Sequence, residues 1–366
     1  MGEITPPGAS GKTAEPTKPV RPALAVTKAL IVAPAWIGDT VMAQPLFMRL
    51  LQRFPGMQLD ALAPPWVAPV LRRMPEIGEV INNPFAHGEV AFRERFRLAR
   101  QLAQQGYQQA YILPNSLKSA LIPWLAGIPE RAGFTGEARY GLINRRHTLD
   151  PVALPKMVER FAQLAEHPGT LPSRPIEDPR LSAPTEQQTQ TLDALGIDRP
   201  KKIAVFCPGA EYGPAKRWPA RHFATLADRL AGEGFTIWLL GSAKDHAIGE
   251  DIVRLATSAP LNLCGKTSLA QAIDLIACAA FVVCNDSGLM HVAAALDRPL
   301  VALYGSSSPG FTPPLTPRAT ILRLGLDCSP CFKRDCPLGH LDCLMQLDPE
   351  RVFNACQAIT SPESAA

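Results

Sequence analysis

"AFVVCNDSGLMHVAAALDRPLVALYGSS", residues 280–307, reads as strand, turn, helix and strand. Both apolar runs are short and rich in β-branched residues, and "LMHVAAALD" lies between them. Two such runs joined by a helix make a strand–helix–strand unit, the building block of a parallel sheet covered by helices on both faces.

The same alternation extends in both directions. Upstream in the second half come "KKIAVFCPGA" (201–210), "FTIWLLGSA" (235–243) and "PLNLCGKT" (260–267), with helical patterns between them. The first half repeats the scheme in "KALIVAPAW" (28–36), "MQLDALAPP" (57–65), "EVINNPF" (79–85) and "QQAYILPNS" (108–116). Between the halves, residues 167–200 are rich in proline before Thr185, so the chain there is extended or turning. Two doubly wound α/β halves follow, with a ligand expected in the crevice at the carboxyl ends of the strands. The boundaries read as a Pro-rich disordered tail at 1–26, a first domain at 27–175, a second at 176–350, and a C-terminal helix and tail at 351–366.

A chain of 366 residues exceeds one ordinary core, which agrees with two domains. An apolar fraction of 46% and a charged fraction of 19% fit a soluble protein, and no run approaches the roughly 20 apolar residues of a membrane span. The amino-terminal tail lacks the apolar core of a secretion signal, and nine cysteines without such a signal suit a reducing compartment, so the cytoplasm is expected. A net charge of +4 suits an anionic substrate or a membrane surface and does not call for nucleic acid.

Nearly every strand of the second half ends in small or polar residues where a ligand would sit: "FCPGAEYGPAKRWP", "GSAKDH", "CGKTS", "NDSGLMH" and "YGSSSPGFTPP". In "NDSGLMH", Asp286, Ser287 and Gly288 turn into a helix whose first N–H groups suit a diphosphate, although either of the first two would equally serve as a helix cap. His291, one turn on, faces the same pocket or packs on its neighbours. Lys216 and Arg217 offer cations for phosphate, or form a surface pair. Asp245 suits ribose hydroxyls or the N-terminus of a helix. In the first half, Asp39 follows Gly38. Pro45 would disrupt a helix already running from residue 40, so the helix is expected to start near Ala43 and Asp39 to lie in the loop, as a general base or as a cap. Lys118, Arg131, Arg139, Arg145 and Arg146 form a basic stretch among apolar residues, either a solvated surface or a site for an acidic, partly lipidic acceptor. Cys328, Cys331, Cys336 and Cys343 are spaced as a structural zinc site, with His340 a substitute ligand, or as reduced thiols, or as a redox group.

With these residues assembled, the chain from about Lys28 to Val352 resembles the lipopolysaccharide heptosyltransferases. The resemblance is carried by "GDTVMAQPL", "LPNSLKSAL", "GEARYGLIN", "CPGAEYGPAKRWP", "GSAKDH" and "NDSGLMHVAAALDRPLVALYGSSSP". It implies a GT-B architecture of two Rossmann-like domains facing each other across a cleft. It also implies an inverting transfer of L-glycero-D-manno-heptose from ADP-heptose to the first heptose of the inner core, with no cofactor required. By position, Asp39 matches the general base and Lys216 the lysine on the donor phosphate; Gly38, Glu211, Asp245, Asp286, Ser287, Gly288 and His291 complete the donor set. Lys118, Arg139 and Arg145 are assigned to the lipid-linked acceptor, with peripheral contact at the cytoplasmic face of the inner membrane. The alternatives are a sister enzyme adding the first or a later heptose, a nucleotide-sugar binding protein without turnover, or a zinc-dependent interaction module.

Overall fold

The computed structural model describes residues 28–85 and 91–360, so the expected tail at 1–26 and the last residues, 361–366, lie outside the described residues. The first half holds β1 (Lys28–Val32), β2 (Gln58–Ala63), β3 (Ile77–Asn82), β4 (Gln109–Ile112), β5 (Glu130–Phe134) and β6 (Arg145–His147). Its helices are α1 (Ile37–Met42), α2 (Gln44–Arg53), α3 (Ala68–Leu71), α4 (Phe92–Ala103), α5 (Leu117–Leu125) and α6 (Met157–Gln163). After α7 (Thr185–Leu195) come β7 (Ile203–Cys207), β8 (Thr236–Leu239), β9 (Leu261–Asn262), β10 (Phe281–Asn285), β11 (Leu300–Leu303) and β12 (Ala319–Leu322). They alternate with α8 (Ala220–Gly232), α9 (His246–Leu255), α10 (Leu269–Cys278) and α11 (Gly288–Ala295), and α12 (Asp342–Met345) and α13 (Pro349–Thr360) close the chain.

Each half is one six-stranded parallel sheet, ordered β3-β2-β1-β4-β5-β6 in the first and β12-β11-β10-β7-β8-β9 in the second. Counted within its own half, the second order is the same as the first, read from the other edge. Both sheets therefore reverse direction at their middle pair, β1/β4 and β7/β10, and a crevice opens there at the carboxyl ends. The GT-B architecture implied by the sequence is thus observed.

Three strands went unread in the sequence. β5 begins with half-buried Glu130 and Arg131, β6 is "RRH", and β12 is largely solvent-accessible, so none shows a continuous apolar run. The start of the first helix also differs from expectation. Pro45 does begin a helix, as the second residue of α2 where its missing N–H costs nothing, but an extra turn, α1, precedes it and carries Asp39.

The halves meet through apolar helix faces. Val41 and Leu46 of the first half belong to one buried cluster with Ile273, Met290 and Val292 of the second. Polar ties reinforce the join. Arg73 beyond α3 lies 2.7 Å from Asp274 on α10, Thr191 donates to the other carboxylate oxygen at 2.9 Å, and Met157 N–H donates to Phe311 O at 3.0 Å. The connecting segment runs back along both halves: Arg49 binds Ser173 O and Glu177, and Leu181 N–H donates to Ala295 O at 2.8 Å. Among the described residues no helix is long and apolar enough to cross a membrane.

Candidate active site

Several of the residues singled out by sequence lie on the two facing crevices. From the first half comes the N-terminus of α1; from the second come the loop after β7, which carries Lys216, and the turn from β10 into α11. α1 and α11 touch end against end. A Cβ on Gly38 would sit 2.7 Å from His291 Cδ2, and one on Gly288 would sit 2.8 Å from Ile37 Cβ. Glycine precedes Asp39 because the backbone there lies against a side chain of the other half, where even alanine would collide.

Asp39 occupies the first turn of α1 and is partly buried. Burial pushes its carboxyl up to about 6, while the charge of Lys216, across the cleft, pulls the other way. Lys216 Nζ pairs with Asp286 Oδ2 at 2.5 Å and lies 5.2 Å from the Tyr212 ring centroid. Ser287 is the N-cap of α11 in extended conformation, without a side-chain cap bond, so the first N–H groups of the helix are left for another acceptor. His291 is 4% exposed, and burial lowers it to about 4, so the ring is neutral at pH 7. Two positive helix ends and an ammonium thus meet two carboxylates in one crevice, a setting suited to an anion.

Asn285, quoted within its motif but not chosen from sequence, holds this edge together. It is fully buried, accepts from Trp218 N–H at 3.0 Å and donates to Pro208 O at 2.7 Å, and Trp218 Nε1 donates to Leu347 O at 2.9 Å. The loop bearing Lys216 is thereby tied to β10. Only the placement of Asn285 at a strand end signalled this.

Other expected residues serve differently. Asp245 is buried, and its Oδ2 accepts from Ser242 N–H at 2.9 Å and from Ser242 Oγ–H at 2.7 Å. Gly209 and Gly241 press against it so closely that a Cβ on either would collide, so this carboxylate caps and shapes the loop rather than standing free for a ribose. Glu211, exposed at the mouth, pairs with Lys244. Arg139, 2% exposed, donates to Pro114 O at 2.7 Å, to Phe134 O and to Asn115 Oδ1. Arg145 pairs with Glu130 at 2.8 Å and donates to Glu166 O. Both guanidinium groups bond within the fold, which speaks against their assignment to an acceptor; the sequence could not tell an inward arginine from an outward one. Lys118 lies on the first turn of α5, at the carboxyl edge of its sheet.

Cys328, Cys331, Cys336 and Cys343 line one small cavity with Ala215 and Ser306. The thiols are free, and a four-thiol set suits a thiophilic ion. However, among the described residues no three ligating side chains are positioned to hold a metal, so the zinc reading gains no support. The loop does bear on the site in another way. Arg334 O accepts from Ala215 N–H at 3.0 Å and Phe332 O accepts from Tyr212 O–H at 2.8 Å, which beds the segment leading into Lys216.

Comparison with known proteins points the same way. Residues 95–342 match the model of glycosyltransferase family 9 (heptosyltransferase). Lipopolysaccharide heptosyltransferase 2 of Escherichia coli K12 is 44% identical over 92% of this chain and 100% of its own length. Lipooligosaccharide heptosyltransferase 2 of Haemophilus influenzae is 46% identical over 81% of this chain and 88% of its own. The solved structure of the E. coli ADP-heptose LPS heptosyltransferase II superposes with a TM-score of 0.83 at 42% identity, covering 93% of this chain and 100% of that one.

Proposed function

The chain belongs to glycosyltransferase family 9, the heptosyltransferases, and on that premise we propose how its two crevices carry out the transfer. The protein is a glycosyltransferase that adds heptose to the lipopolysaccharide core. In our reading the donor is ADP-heptose, the acceptor hydroxyl belongs to the first heptose of the lipid-linked inner core, and the work is done on the cytoplasmic side. The half built on 27–175 binds the acceptor, with Lys118 among its contacts, and the half built on 176–350 binds the donor.

The observation that carries the mechanism is the placement of Asp39, partly buried on the first turn of α1 and across the cleft from Lys216 on the opposite half, where burial raises its carboxyl to about 6. A base of that strength is ionised at pH 7 yet still basic enough to accept a proton in flight. Asp39 takes the proton of the acceptor hydroxyl as its oxygen attacks the anomeric carbon. The bond from that carbon to the diphosphate oxygen breaks, inverting the centre, and ADP leaves. Lys216 and the free N–H groups at the start of α11 meet the charge growing on the leaving phosphate. Lys216 exchanges Asp286 for phosphate as the donor enters, and Ser287, Gly288 and neutral His291 line the diphosphate and sugar. Gly38 allows the two helix ends to close on the reacting atoms, Glu211 borders the mouth, and Asp245 keeps its loop in shape.

The test is release of ADP on incubation with ADP-heptose and a core acceptor ending in one heptose. Release with that acceptor, and none with a core lacking heptose, is expected; the reverse preference would reassign the enzyme to the first heptose. Binding of ADP-heptose without release would instead identify a carrier.

A further inference from the structure

α4 carries a stripe that neither its own core nor the transfer reaction explains. Arg95, Ala99 and Leu102, spaced by four and three, face inward. Along one flank of that buried row, Phe92 and Phe96 are 65% and 51% exposed. Beside them, Arg93, Arg97 and Arg100 follow the same helical spacing and line an open hollow with Phe96, Gln101 and Gln104. Among the described residues, none forms an ion pair with these three arginines. Rings beside arginines on one exposed face are unusual for a surface that meets only water.

The position of the stripe is as telling as its composition. α4 packs with α5 on the outer layer of the first sheet, over the cluster of Leu30, Leu62, Leu102 and Ile122, away from the second half. Because β1 and β3 run in parallel, the chain leaves β3 for α4 at the same carboxyl edge from which it leaves β1 for Asp39. Phe92 thus stands on the cleft side of the molecule. Within the basic stretch first considered for this contact, Arg139 and Arg145 are engaged internally.

We propose that the Phe92/Phe96 and Arg93/Arg97/Arg100 face of α4 docks the enzyme on an anionic phospholipid surface, with the rings in the headgroup boundary and the guanidinium groups on lipid phosphate. The inference rests on the proposed acceptor being lipid-linked: contact that includes Phe92, at the start of α4, keeps the carboxyl edge of the first sheet near the bilayer in which such an acceptor is anchored. An interfacial helix works by this pairing of buried apolar area with attraction to anionic headgroups.

The test is co-sedimentation of the full chain with phosphatidylcholine vesicles, with and without phosphatidylglycerol, read in the absence of donor and acceptor. Binding only to the anionic vesicles, weakened by salt, is expected. The triple variant Arg93→Gln, Arg97→Gln, Arg100→Gln should bind about a hundredfold more weakly, from about fivefold per arginine. Phe92→Ser with Phe96→Ser should lose tenfold or more, and both variants should release ADP on a soluble, delipidated acceptor at the unaltered rate. Unchanged vesicle binding by both variants, equal binding to neutral vesicles, or a change in self-association in place of vesicle binding would overturn the proposal. Failure of the transfer reading would appear separately, as absent ADP release from protein that still binds vesicles.

Discussion

Replacing Asp39 by asparagine keeps the shape of the side chain and removes both its charge and its basicity, so two effects should appear together. The first is kinetic. A general base contributes about a hundredfold to ten-thousandfold, and Asp39→Asn should lower kcat by that order while leaving ADP affinity nearly unaltered. With the carboxyl at about 6 in the free protein, kcat/KM for the acceptor should fall as pH drops through about 6, and the residual rate of the variant should lack that limb. The second effect concerns stability. The folded group binds its proton near pH 6 and the unfolded group near 3.8, so between these values the folded state holds more protons and stability declines as pH rises. The shift of 2.2 (6 minus 3.8) corresponds to about 3 kcal/mol at most, a ceiling that solvent screening of this partly buried group will lower. Asp39→Asn should therefore be more stable than the parent above pH 6, by up to a few degrees in melting temperature, and the advantage should shrink toward pH 4. Melting curves from pH 4.5 to 8 alongside single-turnover rates examine both. A kcat within threefold of the parent would refute the base assignment, and equal melting temperatures above pH 6 would refute the burial of the charge.

Lys216→Ala removes the cation from the phosphate and leaves Asp286 without its partner at 2.5 Å, so calorimetry should find ADP bound ten- to a hundredfold more weakly, and an unchanged affinity would contradict the phosphate contact. Gly38→Ala drives a methyl to 2.7 Å from His291 Cδ2, so it should cost about 1–3 kcal/mol and reduce turnover. Adding His291→Ala should recover the stability but not the rate, and a Gly38→Ala protein as stable as its parent would show that the helix ends stand further apart. Arg73→Met leaves Asp274, 3% exposed, as an unpaired charge between the halves, for a loss of about 3–5 kcal/mol by chemical denaturation; a loss under 1 kcal/mol would mean the pair is solvated.

Much of this molecule could be read from its letters, for identifiable reasons. Strands such as β1, β7 and β10 are buried on both faces and therefore written as unbroken apolar runs, and the loops that follow them hold the crevice residues. β6 and β12 stand at sheet edges, where solvent tolerates arginine and threonine and blurs the signal. α5 contains Pro123, a residue that argues against a helix when read alone. The site followed the same pattern. Asp39, Lys216, Asp286 and His291 do face one another, because position after a central strand fixes where a side chain goes. The sequence left the use of Asp245, Arg139 and Arg145 open between alternatives because a polar residue's partner is a tertiary fact: Ser242, Pro114 and Glu130 engage these three in the fold.

The buried layer shared by α1, α2, α10 and α11 has a consequence for how the chain matures. A fragment released by cutting between α6 and α7 would bare Val41 and Leu46 on one piece and Ile273, Met290 and Val292 on the other, oily patches with no substitute cover. Neither piece is built to persist alone, so on a ribosome the amino-terminal half must wait, incompletely covered, until the carboxyl-terminal half emerges. A defect confined to the carboxyl-terminal half would then cost the cell the whole polypeptide.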